Sequence, residues 1–195
     1  MLISHGHADH CADLHPLLRA RALRDNPPSP LPIHTLPKAV DRVLALDRPG
    51  MLDDAYAIHE FTAGGRFEIG PFRVDTWALP HWVPNAGLRV SAAGRTLAFT
   101  GDTGPSPDLG ALARGADIYL AEATFPDQVP ADSVHYLSSA VQAAQVAAQA
   151  SVMHLVLTHL WPGTDPRSAH QAAARAYDGP ISVAHPGLMI DLDRA

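Results

Sequence analysis

Within six positions near its start the chain carries three imidazoles and a carboxylate, His5, His7, Asp9 and His10, in the run Ser4-His5-Gly6-His7-Ala8-Asp9-His10 behind the apolar Met1-Leu2-Ile3. No other stretch restricts the possible folds as much. Side chains two apart on an extended segment point to one side, so His5 and His7 share a face. A turn into a helix then aims Asp9 and His10 at a second point nearby. The chain must therefore pass from strand to helix inside this run, and two neighbouring metal sites follow. Imidazole and carboxylate donors without a thiolate suit zinc, with manganese or iron as alternatives. The competing reading, a solvated histidine-rich terminus or tag remnant, agrees less well with the patterned spacing and the helix-like continuation.

Beyond this run, leucines at 14, 17, 18 and 23 with arginines between them predict an amphipathic helix over Cys11–Leu23. Four prolines make Asp25–Pro32 a loop. A short strand is expected at Ile33–Thr35 and a helix over Lys38–Leu46. Two strands follow at Phe61–Gly70 and Phe72–Leu79, and a hairpin pairs Gly87–Ser91 with Arg95–Thr100 around Ala93-Gly94. Strands are read at Asp117–Ala121, Leu155–Thr158, Ile181–Ala184 and Met189–Leu192, with helices over Ser138–Ser151, capped by a serine, and Pro166–Tyr177. Strands alternating with helices through the second half argue for an α/β layered fold. No internal repeat or long linker divides residues 1–195, so one domain is expected.

The polar residues fall at strand ends. His81, Asp102, Glu122 and His159 each follow an apolar strand immediately or nearly so, and strand ends on one edge of an α/β sheet are where ligands gather. Singly, Asp102 could be a turn aspartate and His159 could cap its strand; their joint placement with the N-terminal run favours a site. Trp82 and Trp161 lie one or two residues from these positions and either wall a pocket or pack. His15, His34, His59, His154 and His170 have no motif around them and read as surface or packing residues. His185 is left outside the ligand set.

On these motifs the chain resembles the metallo-β-lactamase-fold hydrolases, and within them the ribonuclease Z-like, cyclic-nucleotide phosphodiesterase branch. The resemblance rests on His5-Gly6-His7-Ala8-Asp9-His10, Pro80-His81 with Gly87-Leu88-Arg89, Phe99-Thr100-Gly101-Asp102-Thr103, Ala121-Glu122-Ala123-Thr124-Phe125 and Leu157-Thr158-His159. A true β-lactamase is disfavoured because that group places a cysteine where Asp102 stands. Residue by residue, the resemblance implies that His5, His7 and His81 hold one cation, that Asp9, His10 and His159 hold the other, and that Asp102 bridges them. Two divalent ions, Zn2+ first and Mn2+ or Fe2+ as alternatives, would sit roughly 3.5 to 4 Å apart and act on a phosphodiester. The implied catalytic residues are Asp9, Glu122 and His135, with Glu122 orienting His135 to protonate the leaving oxygen. Members of the family carry several strands ahead of the first histidine motif, on which this chain almost begins. The expected architecture is therefore a metallo-β-lactamase-like αββα sandwich lacking its first N-terminal strands.

Composition narrows the function. A net charge of -6 argues against broad electrostatic capture of nucleic acid, and Leu36–Ala78 carries no Lys/Arg cluster to replace the basic arm of transfer RNA processing enzymes. The single cysteine, Cys11, forbids an internal disulfide and fits a reducing cytoplasm. No run approaches the roughly 20 apolar residues that cross a bilayer, and no secretion signal is visible. The leading expectation is a dinuclear metal-dependent hydrolase of a small phosphodiester such as a cyclic nucleotide. The alternatives are a transfer RNA 3′-end endonuclease and a truncated, non-catalytic metal-binding or interaction domain. No membrane partner is expected, and a homodimer is allowed.

Overall fold

The computed structural model describes residues 1–192. Its chain order opens with two short helices, α1 (Ala8–Cys11) and α2 (Leu14–Ala22), followed by strand β1 (Leu31–Thr35), helix α3 (Asp41–Leu44) and strand β2 (Tyr56–Glu60). Strands β3 (Arg66–Ile69), β4 (Phe72–Leu79), β5 (Asn85–Ala92) and β6 (Arg95–Phe99) come next. Helix α4 (Asp108–Ala113), strand β7 (Ile118–Glu122), helix α5 (Ala140–Gln149), strand β8 (Leu155–Thr158), helix α6 (Pro166–Ala173) and strand β9 (Ile181–Val183) complete the order.

Strands β3 to β9 form one seven-stranded sheet in sequence order, antiparallel from β3 to β6 and parallel from β6 to β9. Strands β1 and β2 form a small parallel sheet. The first residues tie the two together: Ile3 N donates to His34 O, His34 N donates to Met1 O, and Ala86 N at the start of β5 donates to Ser4 O. The layers follow from which residues alternate inward. Val74 faces Leu36, Phe61, Ala86 and Leu88 between the sheets, whereas Leu79, on the opposite face of β4, packs with α4, α5 and α6. Helices α1, α2 and α3 cover the small sheet through Cys11, Leu14, Leu18, Val40 and Val43 around Ile33. The order is helix, sheet, sheet, helix, the expected αββα arrangement.

Small side chains let the helical layer lie close. Ala140, Ala143, Ala144 and Ala147 form the buried stripe of α5 at the spacing of one helix face. Its start is fixed by a capping box in which Ser139 accepts from Gln142 N while the Gln142 side chain accepts from Ser139 N. Helix α6 is capped by Asp165, which accepts from Arg167 N, with proline in its first turn.

Several expected elements differ. The predicted helix at Lys38–Leu46 shrinks to α3, because Lys38 has a φ of 64° and cannot continue a right-handed turn. Strand β2 and helix α4 were not read from the sequence, and the strand expected from Phe61 begins only at Arg66. Helix α6 stops at Ala173 rather than Tyr177, and Met189–Leu192 forms no strand.

Candidate metal centre

Strands β4, β6, β7 and β8 all run in one direction, since β4 and β6 are each antiparallel to β5 and the rest are parallel to β6. Their C-terminal ends therefore meet at one edge of the sheet. His81 lies two residues past β4, Asp102 three past β6, Glu122 ends β7 and His159 directly follows β8. The N-terminal run, held against β5 through Ser4, carries His5 and His7 to that edge, and α1 carries Asp9 and His10.

The seven residues assigned from the sequence converge into two groups whose donor atoms all lie within 4.8 Å of one another: His5, His7, His81 and Asp102, and Asp9, His10, Asp102 and His159. Asp102 belongs to both. Around its carboxylate stand His10 Nε2 at 3.2 Å, His159 Nε2 at 3.3 Å, His5 Nε2 at 3.5 Å and His81 Nε2 at 3.6 Å. His7 Nδ1 is 3.0 Å from His81 Nε2, and Asp9 Oδ2 is 3.4 Å from both His10 and His159.

These spacings decide what the cluster can hold. A charge-assisted hydrogen bond between imidazolium and carboxylate closes to about 2.7–2.9 Å, and every imidazole–carboxylate contact here is longer. Two donors bound tetrahedrally to one ion at about 2.1 Å each would stand about 3.4 Å apart, which matches. His5 Nε2 and Asp102 Oδ1 are buried and make no hydrogen bond, an arrangement that is costly unless a ligand engages them. The residues present thus fit a pair of cations, and the two His/Asp clusters form a candidate dinuclear metal centre.

The far sides of three of the rings are held by neighbouring groups. His81 Nδ1–H donates to the Tyr136 carbonyl at 2.9 Å, leaving Nε2 as an acceptor. Ser4 Oγ lies 3.0 Å from His5 Nδ1. At His159, the Thr124 hydroxyl links Glu122 Oε1 at 2.6 Å to His159 Nδ1 at 2.9 Å. His159 itself has a φ of 58°, a left-handed conformation that strains a non-glycine residue. Asn85 fixes the loop bearing Asp102 by donating to the carbonyls of Thr100 and Asp102. Gly101, with a φ of 60°, sits where a Cβ would fall 2.2 Å from the Asn85 side-chain oxygen, so only glycine lets that loop close.

Electrostatics follow from burial and crowding. Burial alone would push the Asp102 carboxyl up, but His10 and His5 beside it hold it well below the usual carboxylate range. Burial lowers His7 and His81. At His10 burial works downward, and the Asp102 and Asp9 carboxylates more than offset it, leaving the ring raised. Glu122 is pushed well above its ordinary value by burial, against the hydrogen bonds from Thr124 and Ser138.

The expected pairing of Glu122 with His135 is not among the contacts the described residues make: Glu122 Oε1 accepts from the Thr124 hydroxyl at 2.6 Å and its Oε2 from Ser138 N at 2.7 Å. His135 is exposed, its ring meets that of Tyr136 alone among the described residues, and its carbonyl is packed against Gly104, where no side chain would fit. The support residues Ser4, Asn85 and Thr124 were not singled out from the sequence. Thr124 was within reach, since it stands in the Glu-Ala-Thr-Phe motif; Asn85 carried no signal. Of the histidines set aside, His15 bonds Asp47 at 2.8 Å and His154 lies 2.9 Å from the Ser182 hydroxyl.

Residues 1–160 match the family of beta-lactamase superfamily domains. The chain belongs to that family. An uncharacterized protein of Mycobacterium leprae is 33% identical over 204 residues, which take in 98% of this chain and 70% of the relative. A ribonuclease Z of Mycobacterium bovis is 29% identical over 211 residues, covering 94% of this chain and 75% of its own length. Among solved structures, the metallo-beta-lactamase fold protein YhfI from Bacillus subtilis superposes with a TM-score of 0.85 at 22% identity, over 97% of this chain and 76% of that one. The fold is metallo-β-lactamase-like and shorter than these neighbours. Family membership together with the His/Asp clusters makes this a metal-dependent hydrolase of that fold. No helix among the described residues is long and apolar enough to cross a membrane.

Proposed function

We propose that the chain is a dinuclear phosphodiesterase acting on a small phosphodiester such as a cyclic nucleotide, with zinc as its cation. The observation that supports this most is the shared Asp102, a carboxylate 2% exposed, with a full donor set on either side of it. His5, His7, His81 and Asp102 would hold one ion and Asp9, His10, His159 and Asp102 the other. Two such ions supply Lewis acidity toward the phosphoryl oxygens and lower the pKa of water toward neutrality.

The chain's own groups prepare that chemistry. Tyr136 O, Ser4 and Thr124 fix ring orientation before any ion or substrate arrives. Asp9 is exposed, and its Oδ2 faces His10 and His159, so its second oxygen is available to orient the attacking water and accept its proton. Glu122 acts as a positioning residue through Thr124.

A transfer RNA 3′-end endonuclease is the second reading, favoured by the ribonuclease Z relative. The net charge of -6 weighs against it, and a steep loss of RNA binding with salt would support it. The test of the leading reading is hydrolysis of bis(p-nitrophenyl) phosphate by the parent and by Asp102→Ala. The substitution should abolish turnover and lower metal content together, and retained turnover would remove the mechanism.

A further inference from the structure

A cavity of about 500 Å³ opens over the metal centre, bounded by His7, Asp9, His81, Asp102 and His159 and walled by Trp82 and Trp161. Both indoles are more than half exposed, at 52% and 58%. Together with Leu160 and Pro162 beside the same cleft, they form an apolar rim of the kind that lines a ligand-binding groove. Each is delivered by a strand end that also delivers a candidate ligand: Trp82 follows His81, and Trp161 stands two residues past His159.

The indoles are braced rather than loose. Trp82 lies against Tyr136 with ring centroids 5.2 Å apart and edge-on to His81 at 5.1 Å. Trp161 stacks on Phe125 at 6.0 Å and 14°, and its amide donates to Thr124 O. Leu137, Leu160 and Pro162 extend the apolar wall, and among the described residues no lysine or arginine lines this cavity. Apart from the metal centre, the cleft therefore offers a ligand flat apolar faces and no fixed cation for further phosphates.

Resting on the phosphodiesterase reading, we propose that Trp82 and Trp161 form stacking platforms for the heterocyclic base of a mononucleotide whose phosphodiester lies at the metal centre. Aromatic stacking on a base has the strength to set substrate choice, about fivefold to a hundredfold in affinity per base. The cavity is of the size that takes one small ligand, and its uncharged walls disfavour polyphosphates and nucleic-acid backbones.

The test is intrinsic fluorescence of the metal-loaded chain, in which two of the three tryptophans report on the cleft. Adenosine 5′-monophosphate should quench it and bind about tenfold or more tighter than ribose 5-phosphate, and Trp82→Ala and Trp161→Ala should each erode that preference while Trp82→Phe keeps most of it. In kinetics, each alanine variant should raise KM for cyclic AMP about tenfold, with a smaller change for glycerophosphocholine, which has no ring. Equal binding of the two monophosphates, or alanine variants that keep the preference, overturns the platforms. Base-dependent binding without any phosphodiester turnover would instead overturn the proposed reaction and leave the platforms standing.

Discussion

Replacing Thr124 by valine tests how the protein holds His159. The two side chains have nearly the same shape, so the change removes one hydroxyl and little packing. That hydroxyl lies 2.6 Å from Glu122 Oε1 and 2.9 Å from His159 Nδ1, with both Thr124 and Glu122 1% exposed. Leaving a buried group unpaired costs about 1–3 kcal/mol, and Glu122 limits its share by keeping its hydrogen bond from Ser138 N. The net loss should be about 2 kcal/mol, a fall in Tm of about 4–8 °C for a chain of this size. The His159 ring also loses its restraint, and removing such a support weakens metal affinity about 10- to 100-fold. Chelator competition, followed as stepwise metal release, should show one ion released early and the other held as in the parent. Thr124→Ser keeps the hydroxyl and should restore both ions to parental affinity. A valine variant that binds two ions as tightly as the parent would refute the chain from Glu122 through Thr124 to His159.

Other outcomes follow from the same geometry. His135→Ala should keep turnover within about threefold, since loss of a general acid costs about a hundredfold or more; a loss of that size, with metal retained, would restore His135 as the proton donor. Asp47 is held below the usual carboxylate range chiefly by Arg19, with His15 adding to the effect. Its contribution to stability is therefore present above the ordinary carboxylate value of about 3.9 and lost as pH falls through the lower folded value. Asp47→Asn should lower Tm at neutral pH, and the gap to the parent should close in acid; a gap independent of pH would contradict the pairing.

The metal-ligating pattern was legible because it is local. His5, His7, Asp9 and His10 sit in one run, and His81, Asp102 and His159 each close an apolar strand, so strand direction alone brings them to one edge. Support for those ligands was harder to see. Asn85 reaches Asp102 across 17 residues, and Thr124 reaches His159 across 35, and no periodicity encodes such contacts. The Glu122–His135 pairing is absent from the contacts for a related reason: a motif places residues in order along the chain, while burial decides which partners a carboxylate meets, and here they are Thr124 and Ser138 N. Among the elements, β2 was lost because its mostly exposed face carries no alternation, and α3 was overextended because a left-handed lysine leaves no mark in composition.

A crystal of the zinc-loaded chain, measured with anomalous scattering at the zinc edge, bears most directly on the proposed centre. Two peaks should appear, one among His5, His7 and His81 and one among Asp9, His10 and His159, with Asp102 contacting both. A single peak remote from these residues, or no peak in protein equilibrated with zinc, would contradict it.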